Sequence, residues 1–272
     1  MKKRKEVIAV DLGGTNLRVA RVRGKKIFDY SKYPTPKSKK GITDLLVSSI
    51  SKIMTKDIRA IGVGSPGPLK DGIIKNPPNL PLKNFNIKKF LQTKFKKRVV
   101  VENDAGCVSL AEAKYGVRKK NFFILTLGTG VGGGIIIEGE IYRGEGYAGE
   151  VGHIIIGKGK DLEKHWQKYR VDSQRAFGRV LTIKELLKSR DKKAKKILER
   201  TSISLGQGIA SLIDVLDPEV VVLMGGARES GRKFLKMIKK QTYKYSILPK
   251  KTPIKWSKIR HPGILGASLL VE

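Results

Sequence analysis

The feature that most constrains this chain is a repeated transition, in which an apolar run ends on glycines or on an acidic residue. The run VIAV leads into DLGGTN at 11–16, FFIL leads into LGTGVGGG at 127–134, and EVVVLM leads into the glycine pair 225–226. Similar transitions occur at 64–67 and 102–106. Because ligands of open α/β sheets bind beyond the carboxyl ends of the strands, these five loops predict a ligand site.

The segments between these strands have the spacing of amphipathic helices. Residues 41–54 place apolar side chains three and four positions apart, as a helix with one buried face requires. A β-hairpin turn is expected at Glu138-Gly139. Further helices are predicted after 226 and at 86–95, 105–116, 161–169, 182–216 and 263–270. The alternation of strands and helices predicts an α/β fold.

The net charge of the chain is +33, from 57 Lys and Arg residues against 24 Asp and Glu residues. One interpretation is a lysine-rich solvated surface that reflects composition alone. The other is attraction of polyanions such as nucleotides, polyphosphate or nucleic acid. The basic residues are spread along the whole chain rather than gathered in one arm, so nucleic acid is not an expected partner, whereas polyphosphate stays open.

Composition also bears on the compartment. No run of 18 apolar residues occurs, so no membrane span is expected. The apolar run VIAV near the N-terminus is short and is interrupted by Asp11, which argues against a signal peptide. The single cysteine, Cys107, permits no intramolecular disulfide and fits a reducing cytoplasm. We therefore expect a cytoplasmic protein.

Three glycine turns are candidates for nucleotide binding. In DLGGTN at 11–16, backbone N–H groups can cradle a phosphate and Thr15 can add a donor, although an ordinary β-turn is the alternative. Asp11 would repel that phosphate unless a cation such as Mg²⁺ lay between them. LGTGVGGG at 127–134 is predicted to be a second phosphate turn across a cleft, or else a bulged strand connection. The bare backbone of MGG at 224–226 can lie against adenine, or can simply join a strand to a helix.

Polar side chains at other turns are candidates for binding an alcohol substrate. Asp104, in ENDAG at 102–106, follows a buried strand and can act as a general base, or can cap the next helix. Glu150 and His153 in GEVGH, and Asn79 in NPPNLP, can bind sugar hydroxyls or serve only their own turns. These residues predict phosphoryl transfer to a sugar.

Eight motifs then match one family, in order and across nearly the whole chain. They are DLGGTN, GVGSPGPL, NPPNLP, ENDAG, LGTGVGGGII, GEVGH, VVLMGG and GILGA. The chain resembles the ROK family of sugar kinases, within the actin-like sugar-kinase superfamily. The resemblance implies two α/β domains of ribonuclease-H-like fold with a cleft between them. We expect residues 1–105 with 259–272 in the N-terminal domain and 106–258 in the C-terminal domain. A homodimer is also implied.

The resemblance implies a role for each matched residue. Asp104 is expected to be the catalytic base and to contact the sugar. The other expected sugar contacts are Gly67, Asn79, Asn103, Glu150 and His153. The expected ATP contacts are Asp11, Gly13, Gly14, Thr15, Asn16, Gly128, Thr129, Gly130, Gly225 and Gly226. Asp11 is expected to hold Mg²⁺, directly or through a water molecule.

The chain departs from the family pattern at one place. Most members follow the histidine with a zinc motif of the form C-x-C-G-x-x-G-C-x-E, but HIIIGKGKDLEKHW at 153–166 has no cysteine. His153 and His165 cannot supply the four ligands of a tetrahedral zinc site, so no zinc is predicted. Glu163 is the best match to the final glutamate of that motif, which contacts the sugar. Polyphosphate-using glucokinases of the family also lack the cysteines.

The first hypothesis is an ATP- and Mg²⁺-dependent hexose kinase, and specifically a glucokinase that phosphorylates the 6-hydroxyl. The alternatives within the family are a polyphosphate-dependent glucokinase and a kinase for an N-acetylhexosamine or fructose. A sugar-responsive repressor is not expected, because only six residues precede VIAVD and a helix-turn-helix segment does not fit there. Sequence alone leaves the hexose open.

Overall fold

The computed structural model describes residues 6–67, 69–77 and 80–272, which fall into two compact units. The first unit takes its residues from Met1–Arg118, Ile141–Ala148 and Ile259–Glu272. The second comprises Lys119–Glu140 and Gly149–Lys258. This division differs from the expected boundary after residue 105, since it keeps a whole helix that begins at Asp104 within the first unit.

Strands and helices alternate through the described residues. The strands are β1 Val7–Leu12, β2 Asn16–Arg23, β3 Lys26–Pro34, β4 Ala60–Ser65, β5 Leu69–Lys70, β6 Ile73–Ile74, β7 Phe85–Asn86, β8 Arg98–Asn103, β9 Phe122–Leu127, β10 Val131–Ile137, β11 Glu140–Ile141, β12 Ile155–Gly157, β13 Lys160–Asp161, β14 Val220–Met224 and β15 Ile254–Trp256. The α-helices are α1 Lys39–Ile53, α2 Ile87–Phe95, α3 Asp104–Tyr115, α4 Leu162–Phe177, α5 Ile183–Lys188, α6 Lys192–Leu216, α7 Gly231–Tyr245 and α8 Pro262–Leu269. None of these helices is both long and apolar enough to cross a bilayer.

The main sheet of the first unit has the strand order β3-β2-β1-β4-β8. β1 runs antiparallel to β2 and parallel to β4, and β4 runs parallel to β8. In this register Asp11 lies beside Gly64, which in turn lies beside Glu102, and Ser65 pairs with Asn103. The carboxyl ends of three parallel strands therefore meet at one edge of the sheet.

Alternate residues of β1 enter different cores, because successive side chains of a strand point to opposite faces. Ile8 and Val10 pack in a cluster with α1 and α2, among large aliphatic side chains. Val7 and Ala9 pack in a second cluster with α3 and α8. The second cluster is rich in alanine, so the helices on that face can approach the sheet closely.

Glycine makes this approach possible. A Cβ atom on Gly62 of β4 would lie 1.8 Å from the carbonyl oxygen of Ala267 in α8. A Cβ atom on Gly266 would lie 1.7 Å from the carbonyl oxygen of Cys107 in α3. Backbone therefore packs directly on backbone where α8 crosses β4 and α3, and no larger residue fits without displacing an element.

The second unit contains a sheet in which β10, β9, β14 and β15 are neighbours in this order. β9 and β10 form an antiparallel pair, and β14 runs parallel to both β9 and β15. The buried faces of these strands pack on helices α4 to α7. The predicted turn at Glu138-Gly139 is confirmed, with φ of 52° and 86° at its two residues.

Two helix predictions in the second unit differ from the structure. The helix predicted at 161–169 continues to Phe177, where Gly178 in the left-handed conformation ends it. The stretch 182–216 divides into α5 and α6, because Asp191 caps a new helix with its side chain accepting from the N–H group of Lys193. After Gly225, a short 3-10 helix at Gly226–Ser230 precedes α7.

We predict that Gly266→Ala lowers the unfolding free energy by about 1–3 kcal/mol or more, because the new methyl group must displace α8 from α3. Chemical denaturation measures the change. Gly226→Ala is the control, since a Cβ atom at Gly226 would meet nothing within 4 Å. Equal stabilities of the two variants would contradict the backbone contact.

Candidate functional site

The turn that follows β1 is a tight hairpin connection to β2. The N–H group of Gly13 donates to the carbonyl oxygen of Asn16 at 2.9 Å, and the Thr35 hydroxyl donates to the carbonyl oxygen of Gly13 at 2.6 Å. The N–H group of Gly13 thus closes the turn, and the nucleotide contact expected of Gly13 stays a prediction. Gly14 and Thr15 form the tip, where Thr15 is exposed.

Asp11 is enclosed at the base of this turn. A Cβ atom on Gly263 would lie 2.7 Å from its carboxylate carbon, so α8 covers it closely. Arg18, its cross-strand neighbour, donates to Oδ2 of Asp11 at 2.8 Å. Burial raises the pKa of Asp11 above its ordinary value, while the Arg18 guanidinium and His261 oppose that rise.

Asp11 has the chemistry to hold Mg²⁺, since this ion is often bound by one or two carboxylates together with substrate phosphates. Its Oδ2 atom already accepts from Arg18. Within the described residues, no group of three or more His, Cys, Asp or Glu side chains is arranged to hold a metal ion. An ion at Asp11 would therefore take most of its ligands from phosphate and water.

The junction of β8 and α3 brings three predicted site residues together. Asn103, rather than Asp104, is the N-cap of α3, and its Oδ1 atom accepts from the N–H group of Ala105 at 2.9 Å. Its Nδ2 atom donates to the carbonyl oxygen of Gly67 at 3.3 Å. Capping as the sole role of Asp104 is therefore wrong. Asp104 is half-buried in the first turn, with Oδ1 accepting from the N–H group of Ala105 at 2.8 Å.

Two further features shape this junction. Gly67 has φ of 92°, and a Cβ atom there would lie 2.8 Å from the Cα atom of Pro77, so only glycine fits the turn. Glu102, the residue before Asn103, accepts from the guanidinium of Arg143 at 2.7 Å. The remaining predicted sugar residue of this region, Asn79, lies outside the described residues.

In the second unit, helix α4 braces the turn between β9 and β10. The indole N–H of Trp166 donates to the carbonyl oxygen of Gly128 at 2.9 Å, and Oε2 of Glu163 accepts from the N–H group of Val131 at 2.8 Å. A Cβ atom on Gly130 would lie 2.2 Å from that same oxygen. The turn is thus held from one side, and Thr129 at its tip is exposed.

These contacts bear on the role expected for Glu163. Its other oxygen, Oε1, accepts from the side chain of Gln167 at 3.0 Å. The described hydrogen bonds of Glu163 therefore lie within α4 and the glycine turn, and its sugar contact stays a prediction.

The glycine pair after β14 lies beside this turn. Gly225 has φ of 90°, and a Cβ atom there would lie 2.4 Å from the carbonyl oxygen of Leu127. Gly226 faces open space. The second unit therefore brings the predicted adenine-binding loop next to the predicted phosphate turn at Gly128.

Glu150 is the N-cap of a short 3-10 helix at Val151–His153, and His153 is the last residue of this helix. Glu150 is exposed, and Nδ1 of His153 lies 3.4 Å from Oδ2 of Asp161, the N-cap of α4. Burial acts to raise the pKa of Asp161, but the N–H group of Lys164 and the His153 ring outweigh it, so the pKa is lowered. His153 is thus oriented by a carboxylate that sequence reasoning did not single out.

Several contacts within the site were not predicted from the sequence. Arg18 was recoverable, because the β1–β2 hairpin register places it opposite Asp11. Glu163 and Trp166, three residues apart in α4, share a helix face and so could have been predicted to act together. Asp161 starts the predicted helix at 161–169, where Asp is a favoured N-cap, but its contact with His153 had no local signal. The contact of Arg143 with Glu102 had none either.

Comparison with known proteins identifies the family. The model of the ROK family matches residues 7–272. A glucokinase of Halalkalibacterium halodurans is 31% identical, over 88% of this chain and 86% of its own length. A ROK hexokinase from Thermus thermophilus superposes with a TM-score of 0.85 at 29% identity, over 97% of each chain. A ROK glucokinase from Streptomyces griseus, solved with glucose and AMPPNP, gives a TM-score of 0.85 at 25% identity, over 97% of this chain and 98% of its own.

These matches, together with the turns at the strand ends, show that the chain has an α/β fold of the actin-like class. It belongs to the ROK family. The predictions of a ROK-family sugar kinase and of an actin-like α/β fold are confirmed.

We predict that Arg18→Met destabilises the first unit by about 1–3 kcal/mol at about pH 7, and by less at about pH 3, because it leaves a buried carboxylate without its cation. A carboxyl group whose folded pKa is raised binds its proton more tightly in the folded state. The unfolding free energy therefore decreases as the pH rises from the pKa of Asp11 in the unfolded chain through its pKa in the folded chain. Loss of Arg18 makes this decrease larger. Denaturation across pH measures it.

The double variant Asp11→Asn/Arg18→Met is the control for this prediction. It removes the buried charge together with its partner, so it should recover stability at about pH 7 relative to Arg18→Met. A destabilisation by Arg18→Met that is the same at both pH values would contradict the account of Asp11.

Proposed function

We propose that this protein is an ATP-dependent hexose kinase, and specifically a glucokinase that transfers the γ-phosphate to the sugar 6-hydroxyl. The observation that carries the proposal is the β8–α3 junction. There Asn103 caps the helix and binds the Gly67 carbonyl, so that Asp104 is held at the end of a strand. The glucokinase relatives favour glucose as the acceptor.

Asp104 is the general base in this proposal. Phosphoryl transfer depends mainly on positioning and charge stabilisation, and a carboxylate that accepts the hydroxyl proton orients the attacking oxygen. As the oxygen bonds to the γ-phosphorus, its proton passes to Asp104 and the bond from the γ-phosphorus to the ADP oxygen breaks. The α3 N-terminus adds a favourable field for the anionic form of this carboxylate.

The acceptor sugar would be bound by further polar groups. Asn103 precedes Asp104, and its side chain bonds to the Gly67 carbonyl oxygen. We propose that Asn103, Gly67, Glu150 and His153 contact the sugar hydroxyls. Asp161 would orient the His153 ring through Nδ1, leaving Nε2 for the sugar. Asn79 and Glu163 complete the proposed set.

The donor would be bound by the bare backbone turns. We propose that Gly14 and Thr15, with the turn Gly128-Thr129-Gly130, contact phosphate oxygens, and that Gly225 and Gly226 lie against the base. Within the second turn the N–H group of Gly128 donates to the carbonyl oxygen of Gly130 at 3.1 Å, which leaves Thr129 and Gly130 as the proposed donors. When bound, Mg²⁺ neutralises phosphate charge, and Asp11 would hold it. The Gly13 N–H group and the Asn16 carbonyl oxygen close their turn, and we propose that the Asn16 side chain and the bare Cα of Gly13 complete the nucleotide contacts. A homodimer and a cytoplasmic location are part of the proposal.

Inorganic polyphosphate is the second candidate donor. The specific observation in its favour is the net charge of +33, which attracts long polyanions. An N-acetylhexosamine or fructose is the alternative acceptor within the same chemistry.

We predict that the purified chain forms glucose 6-phosphate from glucose, ATP and Mg²⁺, and that Asp104→Asn lowers kcat by about 10²–10⁴-fold because general-base help is lost. The KM for glucose should change much less. Product formation measured over a panel of hexoses, with ATP or polyphosphate as donor, checks the acceptor and the donor together.

Asp57→Asn is the matched control, because the same change occurs at an exposed residue of the first unit. It should retain wild-type turnover. Near-full turnover of Asp104→Asn would contradict its role as the general base. Activity with polyphosphate but not with ATP would show that polyphosphate is the donor.

A further inference from the structure

The second unit contains a cavity that the proposed reaction does not use. Its volume is about 570 Å³, and it lies between the β12–β13 hairpin and helices α4 and α6. Four basic side chains line it: Lys158 and Lys160 from the hairpin, Lys168 from α4 and Arg200 from α6. The volume is within the range of small-molecule sites.

The charge of this cavity is strongly one-sided. Among the residues that line it, Asp172 is the acid, and it is shared by Lys168 at 2.9 Å and Arg200 at 4.0 Å. Lys158 and Lys160, by contrast, form no ion pair within the described part of the chain. Four cations against one carboxylate leave a net charge of +3. The four basic residues are exposed, so their charges are open to an anion from solvent, and the positive potential of the recess favours one.

The walls of the cavity are tied together. His165 lies with Nε2 3.4 Å from the carbonyl oxygen of Gly157 in the hairpin, and with Nδ1 3.3 Å from the Ser204 hydroxyl in α6. Buried Tyr169 and Thr201 also line the cavity. The basic side chains therefore extend from three connected elements around a shaped recess, rather than from a flat surface.

The cavity uses a different face of α4 from the one that braces the glycine turn. His165, Lys168, Tyr169 and Asp172 are spaced at three and four residues, which defines one helical face. Glu163 and Trp166, which hold the turn, are on another. A ligand in the cavity is therefore separate from any ligand on that turn.

We propose that this cavity is a second anion site, which binds a multiply charged phosphate compound. Lysine and arginine side chains are the usual partners of phosphate oxygens, and their number here matches several charges rather than one. Two sources share this chemistry, a short inorganic oligophosphate and a phosphate ester such as a sugar phosphate. The inference does not depend on the proposed kinase activity.

The test is the reactivity of individual lysines in the full wild-type chain. An amine-acylating reagent is applied with increasing tripolyphosphate, glucose 6-phosphate or orthophosphate, and mass spectrometry reads each lysine. Saturable protection of Lys158 and Lys160 by about fivefold or more is expected, since a bound phosphate covers their amines. Lys233 and Lys236, exposed on α7, are internal controls and should show no protection.

The protecting compound distinguishes the sources. If tripolyphosphate protects the lysines at the lowest concentration, the ligand is an oligophosphate. If glucose 6-phosphate does so, the ligand is a phosphate ester. Arg200→Ala, on the opposite wall, should weaken protection of Lys158 and Lys160 by about tenfold in concentration, because one charge-assisted contact is lost. Absence of protection in the wild-type chain, or equal protection of Lys233 and Lys236, would overturn the proposal.

Discussion

Direct packing of backbone on backbone is the constraint on which the first unit depends. Helix α8 approaches β4 and α3 so closely that a methyl group on Gly62 or Gly266 would overlap a carbonyl oxygen. The same helix brings Gly263 against the carboxylate of Asp11. Because a close-packed interior cannot absorb such overlaps, the glycines fix the position of the helix along the strands. The enclosure of Asp11, and with it the need for Arg18, follows from this packing.

In the second unit, side chains of a helix hold the glycine turn between β9 and β10 in place. Its glycine turn exposes Thr129 at the tip, so the turn must be held from behind. Trp166 and Glu163 of α4 do this by bonding the carbonyl oxygen of Gly128 and the N–H group of Val131. Glycine at position 130 is what lets the carboxylate come so near. A braced turn of two glycines and one threonine suits a ligand that is recognised by backbone N–H groups and a hydroxyl.

The sequence predicted the structure correctly where residue types close together in the chain determine it. Apolar runs ending on glycine located the strands β1, β9 and β14, and the Glu138-Gly139 turn followed from its residue types. Hydrogen-bond partners distant in sequence were not predictable in this way. The capping of α3 by Asn103 instead of Asp104 depends on a one-residue difference in where the strand ends, which periodicity does not resolve. The bond from Glu163 to Val131 spans 32 positions and depends on how α4 packs.

The central claim is that Asp104 accepts the proton of the attacking sugar hydroxyl. A crystal structure of the chain with glucose and a non-hydrolysable ATP analogue tests it most directly, through the distance from the Asp104 carboxylate to the sugar 6-hydroxyl oxygen. We expect a hydrogen bond of about 2.6–3.2 Å, with the hydroxyl oxygen directed at the γ-phosphorus. A 6-hydroxyl bound to another base, with Asp104 turned away from the sugar, would contradict the account.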